Sequence, residues 1–370
     1  MAAPRPEPGA ALEAKEDPVR LAVDAMGGDH GPTEVIPGAL FFARAHPHDR
    51  VILVGDEAVV AGLAGPLPAN VTLVHASQVV GMAEHPAKAL REKKDASILV
   101  ATELVRRGEA DAVVTAGHTG AGMAAAVLRL GRLPGVDRPA LAVQMITAAG
   151  PIVLLDIGAN PDSTPENLVQ YAQMGAIFAE RVLGVPNPRV ALLSIGEERG
   201  KGDARIQRAT ELLDASDLRF TGNLEGKDLT GHLADVVVCD AVLGNVVIKF
   251  FEGLSTFIFD LWRGEFERSW RGKLGYLLMR PGIGRIRSVF DYERVGGSPL
   301  LGVRGTVIIT HGRARRRMIG FGCEVAATSA RARVPALIAQ ALAASASPAV
   351  GPDGDPAPDR PSGTNDEPGR

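Results

Sequence analysis

The chain has 370 residues, with 40 Lys and Arg against 43 Asp and Glu, giving a formal net charge of −3 at pH 7. That balance excludes a basic surface of the kind that holds nucleic acid, and a 46% hydrophobic, 22% charged composition is ordinary for a globular enzyme. Two cysteines, Cys239 and Cys323, cannot build a disulfide framework and stand in no metal-type Cys/His spacing.

Residues 1–17 are rich in Pro, Ala and Glu without periodicity and are expected to be a disordered tail, as are residues 346–370. Between them one domain, 18–345, is expected. Strands are predicted at 20–24, 51–55, 71–75, 112–115, 141–146, 152–157, 190–195, 236–239 and 306–310. Helices are predicted near 33–45, 87–107, 119–130, 164–183, 203–215 and 243–262. This alternation predicts an α/β fold with a doubly wound, mainly parallel sheet. No basic stretch leads into an apolar core at the N-terminus, and no window approaches about 18 uninterrupted apolar residues. A cytoplasmic protein is the expectation.

Polar, glycine-bearing turns recur where strands end: 24–32, 116–120, 156–160, 196–202 and 240–245. Five such turns from one sheet are expected to converge on one crevice, where open α/β sheets bind ligands. The turn Asp156-Ile157-Gly158-Ala159-Asn160 closes an apolar strand and leads straight into a helix. Ser163 or Thr164 can cap it, Ser163 and Glu166 are spaced as a capping box, and Pro165 suits the first turn.

Several standard sites are absent. No Gly-x-Gly-x-x-Gly with a later acidic partner follows the first strand, and Gly200-Lys201-Gly202 lacks the phosphate-loop spacing. No Gly-x-Ser-x-Gly elbow occurs, and Cys239, inside Val236-Val237-Val238-Cys239, reads as a core thiol. What remains is an anion site made of backbone N–H groups, Lys201, side-chain amides and histidine, without a protein nucleophile.

These residues together resemble the bacterial phosphate acyltransferase family, the acyl-ACP:phosphate acyltransferases of phospholipid synthesis. The resemblance rests on 23–32 (Val-Asp-Ala-Met-Gly-Gly-Asp-His-Gly-Pro), 155–160, 187–190, 195–198 with Lys201-Gly202, 222–226, 234–238 and 244–246, in one order from 19 to 342. It implies a three-layer α/β/α fold, a homodimer, and peripheral association with the inner face of the membrane. The implied reaction is acyl-ACP plus inorganic phosphate giving acyl phosphate and ACP, with no cofactor, no metal and no nucleic acid. A membrane glycerol-phosphate acyltransferase would consume the product. The chain departs from the family pattern at His118 and Ser194, where Asn is usual, and at 241–243, where Gly-Phe-Thr is usual.

For this chemistry, Lys201 is assigned the phosphate's charge and the Gly27-Gly28 turn its backbone donors. Asn160 and Asn245 orient phosphate or polarise the thioester carbonyl, with His118 as a further candidate. Asp24, Asp29, His30, Asp156 and Glu197 complete the binding set, and the two buried-strand aspartates read equally well as turn acceptors. Lys201 reads alternatively as a solvated loop lysine, and His30 as a helix cap.

From 262 to 290 apolar and aromatic side chains interleave with Arg263, Arg268, Arg271, Lys273 and further arginines. This pattern suits an interfacial arm, with Trp270, Leu274, Leu277, Leu278 and Ile283 for membrane or acyl chain; a dimer-packing arm with a solvated basic face is the alternative. Pro281, Gly282 and Gly284 predict two short helices with a tip there. Two other functions fit the same residues: a phosphotransacetylase-like enzyme using acyl-CoA, and an acyl-binding or scaffolding dimer with weakened catalysis.

Overall fold

The computed structural model describes residues 17–147, 149–289 and 292–346. The expected tails fall outside them, apart from Asp17 and Ala346. The first half alternates: β1 (Arg20–Asp24), α1 (Pro32–Ala45), β2 (Arg50–Gly55), α2 (Glu57–Ala64), β3 (Val71–His75), α3 (Pro86–Glu92), α4 (Ser97–Arg106), β4 (Ala112–Thr115) and α5 (Thr119–Arg129). An antiparallel pair follows, β5 (Ala140–Thr147) with β6 (Gly150–Leu155), and then α6 (Pro165–Val182), β7 (Val190–Leu193), α7 (Ala204–Asp214), β8 (Phe220–Leu224) and β9 (Val236–Val238). Two long helices, α8 (Ala241–Glu267) and α9 (Trp270–Val289), precede the hairpin β10 (Ser298–Leu301) and β11 (Thr306–Ile309). The helices α10 (Arg316–Arg331) and α11 (Val334–Ala346) end the described chain.

All the strands form one sheet in the order β3-β2-β1-β4-β11-β10-β5-β6-β9-β7-β8. Pairing is parallel except where β10 meets β11 and β5, and where β5 meets β6. Helices cover both faces, which makes the three-layer α/β/α arrangement. Alternate residues of the strands divide between the faces, as a pleated sheet requires. Leu21 and Val23 pack against α1 and α10, whereas Ala22 and Val113 pack against α4 and α5. Farther along, Val153, Leu155, Val236 and Val238 pack under α6, on the same side as α1 and α10.

Several elements differ from expectation for local reasons. The helix predicted over 87–107 is two helices. Asp95 accepts hydrogen bonds from Ser77 N and Oγ (2.7 and 2.6 Å) and Ser97 N donates to Gln78 O, which pulls 93–96 out of the helical path. The edge strand β8 contains Gly222 at φ +98° and carries no apolar run, so periodicity misses it. Pro299 hides β10 in the same way. The break in the helical arm lies at 268–269, not at Pro281, and α9 continues through that proline. Helix α8 is long and apolar enough by length and composition to cross a membrane, with 6% of its most apolar window buried; the sequence reading missed this because Lys249 and Glu252 interrupt the run.

On the face carrying α1 and α10, Arg316 grips Glu34 through Nε and Nη2 (3.1 and 2.9 Å), and Arg316 N adds a third bond at 2.8 Å. These bonds hold the Glu34 carboxyl at about 2, well below the usual carboxylate range. A depressed carboxylate stabilises the fold above its unfolded pKa, and that contribution fades as pH falls from about 4.5 towards 2. Glu34→Gln is therefore expected to lower Tm by about one to two degrees at neutral pH, since exposed ion pairs contribute little. The difference from wild type should close below the window; thermal scans across pH 2 to 7 (roughly the range of this linkage) would reject the assignment if it stayed constant.

Candidate active site

Parallel strands need a crossover that usually places a helix on the sheet, whereas antiparallel neighbours join through short turns. The strands β11, β10, β5 and β6 include all the antiparallel pairs, and on the face carrying α4 and α5 no crossover helix lies flat over β5 and β10. The gap is a cavity of about 1620 Å³. Its floor is Leu141, Val143 and Met145, its near wall Thr119, Gly120 and Met123, and its roof α8 and α9. Gly158, Asn245, Thr310 and His311, from the strand ends, line it together with the aromatic side chains Phe251, Phe259, Trp262, Phe266 and Tyr276 of α8 and α9.

The turn after β6 is built on Asp156, which is fully buried. Its Oδ1 accepts from Leu141 N (3.2 Å), Gly158 N (3.0 Å) and Ala159 N (2.9 Å), and its Oδ2 from Asn160 N (2.8 Å) and Asn160 Nδ2 (3.0 Å). Burial pushes the carboxyl's pKa up and the N–H donors pull it back. Asn160 Nδ2 also donates to Pro139 O at 2.6 Å. Its amide protons are thus spent on the frame, which leaves no donor for phosphate or carbonyl. The following capping box is Thr164 with Asn167 instead of Ser163 with Glu166, because Ser163 Oγ turns back to Asn160 O.

Helix α8 begins against this turn. Asp240 caps it through Val242 N and Leu243 N (2.9 and 3.0 Å). A methyl group on Gly244 would lie far inside van der Waals contact with Asp156 O, so only glycine permits this approach. One residue on, Asn245 is exposed and lines the cavity.

The other predicted turns do not all meet here. The strand order places β1 five positions from β6, roughly 24 Å at the usual spacing, so the β1 and β4 turns form a separate group with the β11 turn. In that group Asp24 is buried and accepts from Ser97 Oγ (2.6 Å) and Thr115 Oγ1 (2.7 Å). Burial raises its pKa against those bonds. Gly27 presses against Asp24 Oδ2 and Gly117, and Gly28 turns at φ +100° so that Asp29 N reaches Gly312 O (2.8 Å). Asp29 and His30 are exposed; His30 contributes its carbonyl to Thr33 Oγ1 (2.7 Å), and Gly31 holds the cap position of α1. His118 caps α5, its Nδ1 accepting from Gly120 N (3.0 Å), so in the neutral ring Nε2 carries the proton.

On the β6 side, Lys201 is exposed in the β7–α7 turn, with no ion-pair partner among the described residues, and it does not line the cavity. Glu197 pairs with Lys227 (3.3 Å). Arg205, at the start of α7, reaches Asp240 Oδ2 at 2.8 Å and so ties this turn to the start of α8. Ser194 Oγ is buried without a partner. In the arm, Ile283 lines the cavity, whereas Trp270, Leu274, Leu277 and Leu278 are exposed.

Three residues the sequence reading did not single out also line the cavity. Lys249 Nζ lies 2.8 Å from Glu252 Oε2 and 3.1 Å from His311 Nε2. Asn245, Lys249 and Glu252 follow the helical spacing i, i+4, i+7, a stripe legible in the sequence. His311 carried no such signal, because only the insertion of β11 beside β4 brings it across. No group of three His, Cys, Asp or Glu is placed to hold a metal among the described residues.

A family model described as fatty acid synthesis protein matches residues 19–337. A phosphate acyltransferase of Desulfitobacterium hafniense (strain Y51) is 49% identical over 311 residues, covering 83% of this chain and 92% of that one. A second, from Myxococcus xanthus (strain DK1622), is 48% identical over 309 residues, covering 81% and 87%. Among solved structures, a phosphotransacetylase from Streptococcus pyogenes superposes with a TM-score of 0.58 at 16% identity, covering 85% of this chain and 94% of that one. A branched-chain phosphotransacylase from Enterococcus faecalis V583 gives 0.51 at 16% identity, covering 84% and 99%. At such identities the two structures share the fold alone.

The contact at Gly244 sets two opposite expectations for one helix. Gly244→Ala should destabilise the protein by about 1–3 kcal/mol, the range for overpacking. Gly253→Ala, where nothing lies within 4 Å, should stabilise by about 0.5–1 kcal/mol. Urea midpoints decide it, and equal shifts in the same direction would refute the close approach.

Proposed function

The chain belongs to the phosphate acyltransferase family, and from that premise we propose that it moves a fatty acyl group from acyl-ACP to inorganic phosphate. The acyl phosphate formed feeds phospholipid synthesis through a membrane glycerol-phosphate acyltransferase. The observation that carries this reading is the cavity of about 1620 Å³, lined by groups from the strand ends and by the aromatic side chains of α8 and α9. Helix α8 lines it from Val242 to Glu267, on the order of 38 Å of helix, longer than an extended palmitoyl chain. The likeness to phosphotransacetylases is one of fold and gives no support to CoA as donor.

The chemistry asks little of acid–base groups. Phosphate is already a nucleophilic anion near neutrality, and a thiol with a pKa of about 8.5 leaves readily. The protein must supply placement and charge. In our reading phosphate sits where the β7–α7 and β9–α8 turns meet, between Lys201 and Asn245. The ammonium of Lys201 and the amide of Asn245, both without a partner among the described residues, and the Arg205–Asp240 tie between the two turns support that placement. Asp156 and Asn160 hold the turn. Asp24, Gly27, Gly28 and Asp29 hold the opposite edge of the cleft, with His118 capping α5.

Helices α8 and α9 serve, in the same reading, for homodimer packing and for contact with the cytoplasmic face of the membrane. Trp270, Leu277 and Leu278 are 69%, 62% and 75% exposed, beside Arg271 and Lys273. Such a surface is too apolar to stay uncovered.

Purified protein with palmitoyl-ACP and phosphate should form acyl phosphate, trapped as hydroxamate, and none without phosphate. Lys201→Ala should lower kcat on the order of 10²-fold, the loss typical for one removed charge-stabilising donor, with Tm unchanged. Unaltered turnover would remove Lys201 from the site. Separately, Leu277→Glu combined with Leu278→Glu should abolish co-sedimentation with anionic vesicles, and retained pelleting would exclude the tip of the arm as the contact.

A further inference from the structure

Resting on that reading of the reaction, we propose that Lys249 is a second catalytic residue, which stabilises the departing thiolate, and that Glu252 and His311 are its positioning residues. Lys249 stands one helical turn beyond Asn245 on the wall of the same cavity, on the side facing the β11 turn. Phosphate between Lys201 and Asn245 attacks the thioester carbon from the start of α8. The carbonyl carbon becomes tetrahedral, with the incoming oxygen and the sulfur at different corners, and in this reading the sulfur corner faces the cavity wall that carries Lys249.

The ammonium is held in place from two directions. Glu252 Oε2 takes one N–H at 2.8 Å, and His311 Nε2 lies 3.1 Å away to take another. The third N–H is left for the cavity. Arg313 N competes for the same ring at Nδ1 (3.2 Å); a neutral imidazole has one N–H and accepts from only one of these donors, and an imidazolium accepts from neither. Burial and the charge of Lys249 lower the His311 pKa accordingly. The cluster therefore adds little net positive charge: Glu252 balances Lys249 and the ring stays neutral. It is a poor receiver for a phosphate dianion and suited to the single negative charge that develops on sulfur.

In the step itself, a phosphate oxygen forms a bond to the carbonyl carbon as the carbonyl π pair moves onto its oxygen, and the return of that pair breaks the carbon–sulfur bond. The electron pair leaves on sulfur beside the Lys249 ammonium, and the proton lost by the phosphate ends on the released thiol. No oxidant or other co-reactant is needed.

A leaving-group comparison on the full chain tests this. Palmitoyl thioesters of an alkyl thiol and of a far more acidic aryl thiol are compared as donors to phosphate. Lys249→Met should lower kcat about 10²-fold with the alkyl thioester and less than about fivefold with the aryl one, whose thiolate needs no help. The KM for phosphate should not change. Lys249→Arg should restore part of the loss, and Glu252→Gln should give a smaller loss with the same dependence on the thiol. Equal losses with both thioesters, or a raised phosphate KM with kcat intact, would overturn the assignment and make Lys249 a phosphate ligand or a structural residue. Lys249 is half exposed, so truncation leaves the fold intact, and Glu252→Gln gives an independent reading. Wild-type protein that forms no phosphate-dependent product from either donor would overturn the acyltransferase reading itself, and this inference with it.

Discussion

One buried carboxylate holds the centre of this molecule together. Asp156 receives N–H donors from β5 and from three residues of its own turn, its backbone N donates to Cys239 O, and its carbonyl supports Gly244. An acceptor with that many partners could not be moved without leaving several buried N–H groups unpaired, each costing on the order of 1–3 kcal/mol. The start of β5, the turn after β6, the end of β9 and the start of α8 are thereby fixed relative to one another. The cavity is what remains between them and α5.

The sheet explains why the polar turns do not form one ring. A purely parallel sheet with helices at every crossover would bring its strand ends to a single switch point. Here the insertion of β10 and β5 separates the Asp24 group from the Asp156 group and opens the floor of the cavity. Helix α8 joins the two groups: its first turn rests on Asp156 and its third turn reaches His311. Charge follows that division, with Lys201 at one side and the self-balanced Lys249–Glu252 pair at the other.

Much of this was legible in the chain itself. The strand-turn-helix segments around Asp24, Asp156 and Asp240 obey local rules of period, capping and glycine placement, and their strands and helices fell close to where the pattern put them. The capping pair shifted by one residue because Ser163 had a tertiary partner in Asn160 O, which local spacing cannot reveal. Elements whose stability comes from neighbours were hidden: β8 and β10 lack apolar alternation, and α10 owes its place to packing on α1 and β11. The break in the arm was misplaced because Pro281 looked like a helix stop. Lys201 and Asn245 were readable as candidates, but nothing in the sequence places His311 beside Lys249, since a distance of 62 residues is closed only by the strand order.

Of the 27 residues of α8, only Ala241 and Gly244 are buried, and Val247, Ile248 and Phe251 pack against the core beyond them, so the helix is a cantilever held over its first three turns. On the order of 24 Å of it projects beyond Phe251, and a rotation of about five degrees there carries the free end roughly 2 Å. The roof of the cavity can therefore rise over a bulky hydrocarbon without any strand separating. Breadth of accommodation and rigidity of the reacting end, which oppose each other in a site enclosed on all sides, are here assigned to opposite ends of the same helix.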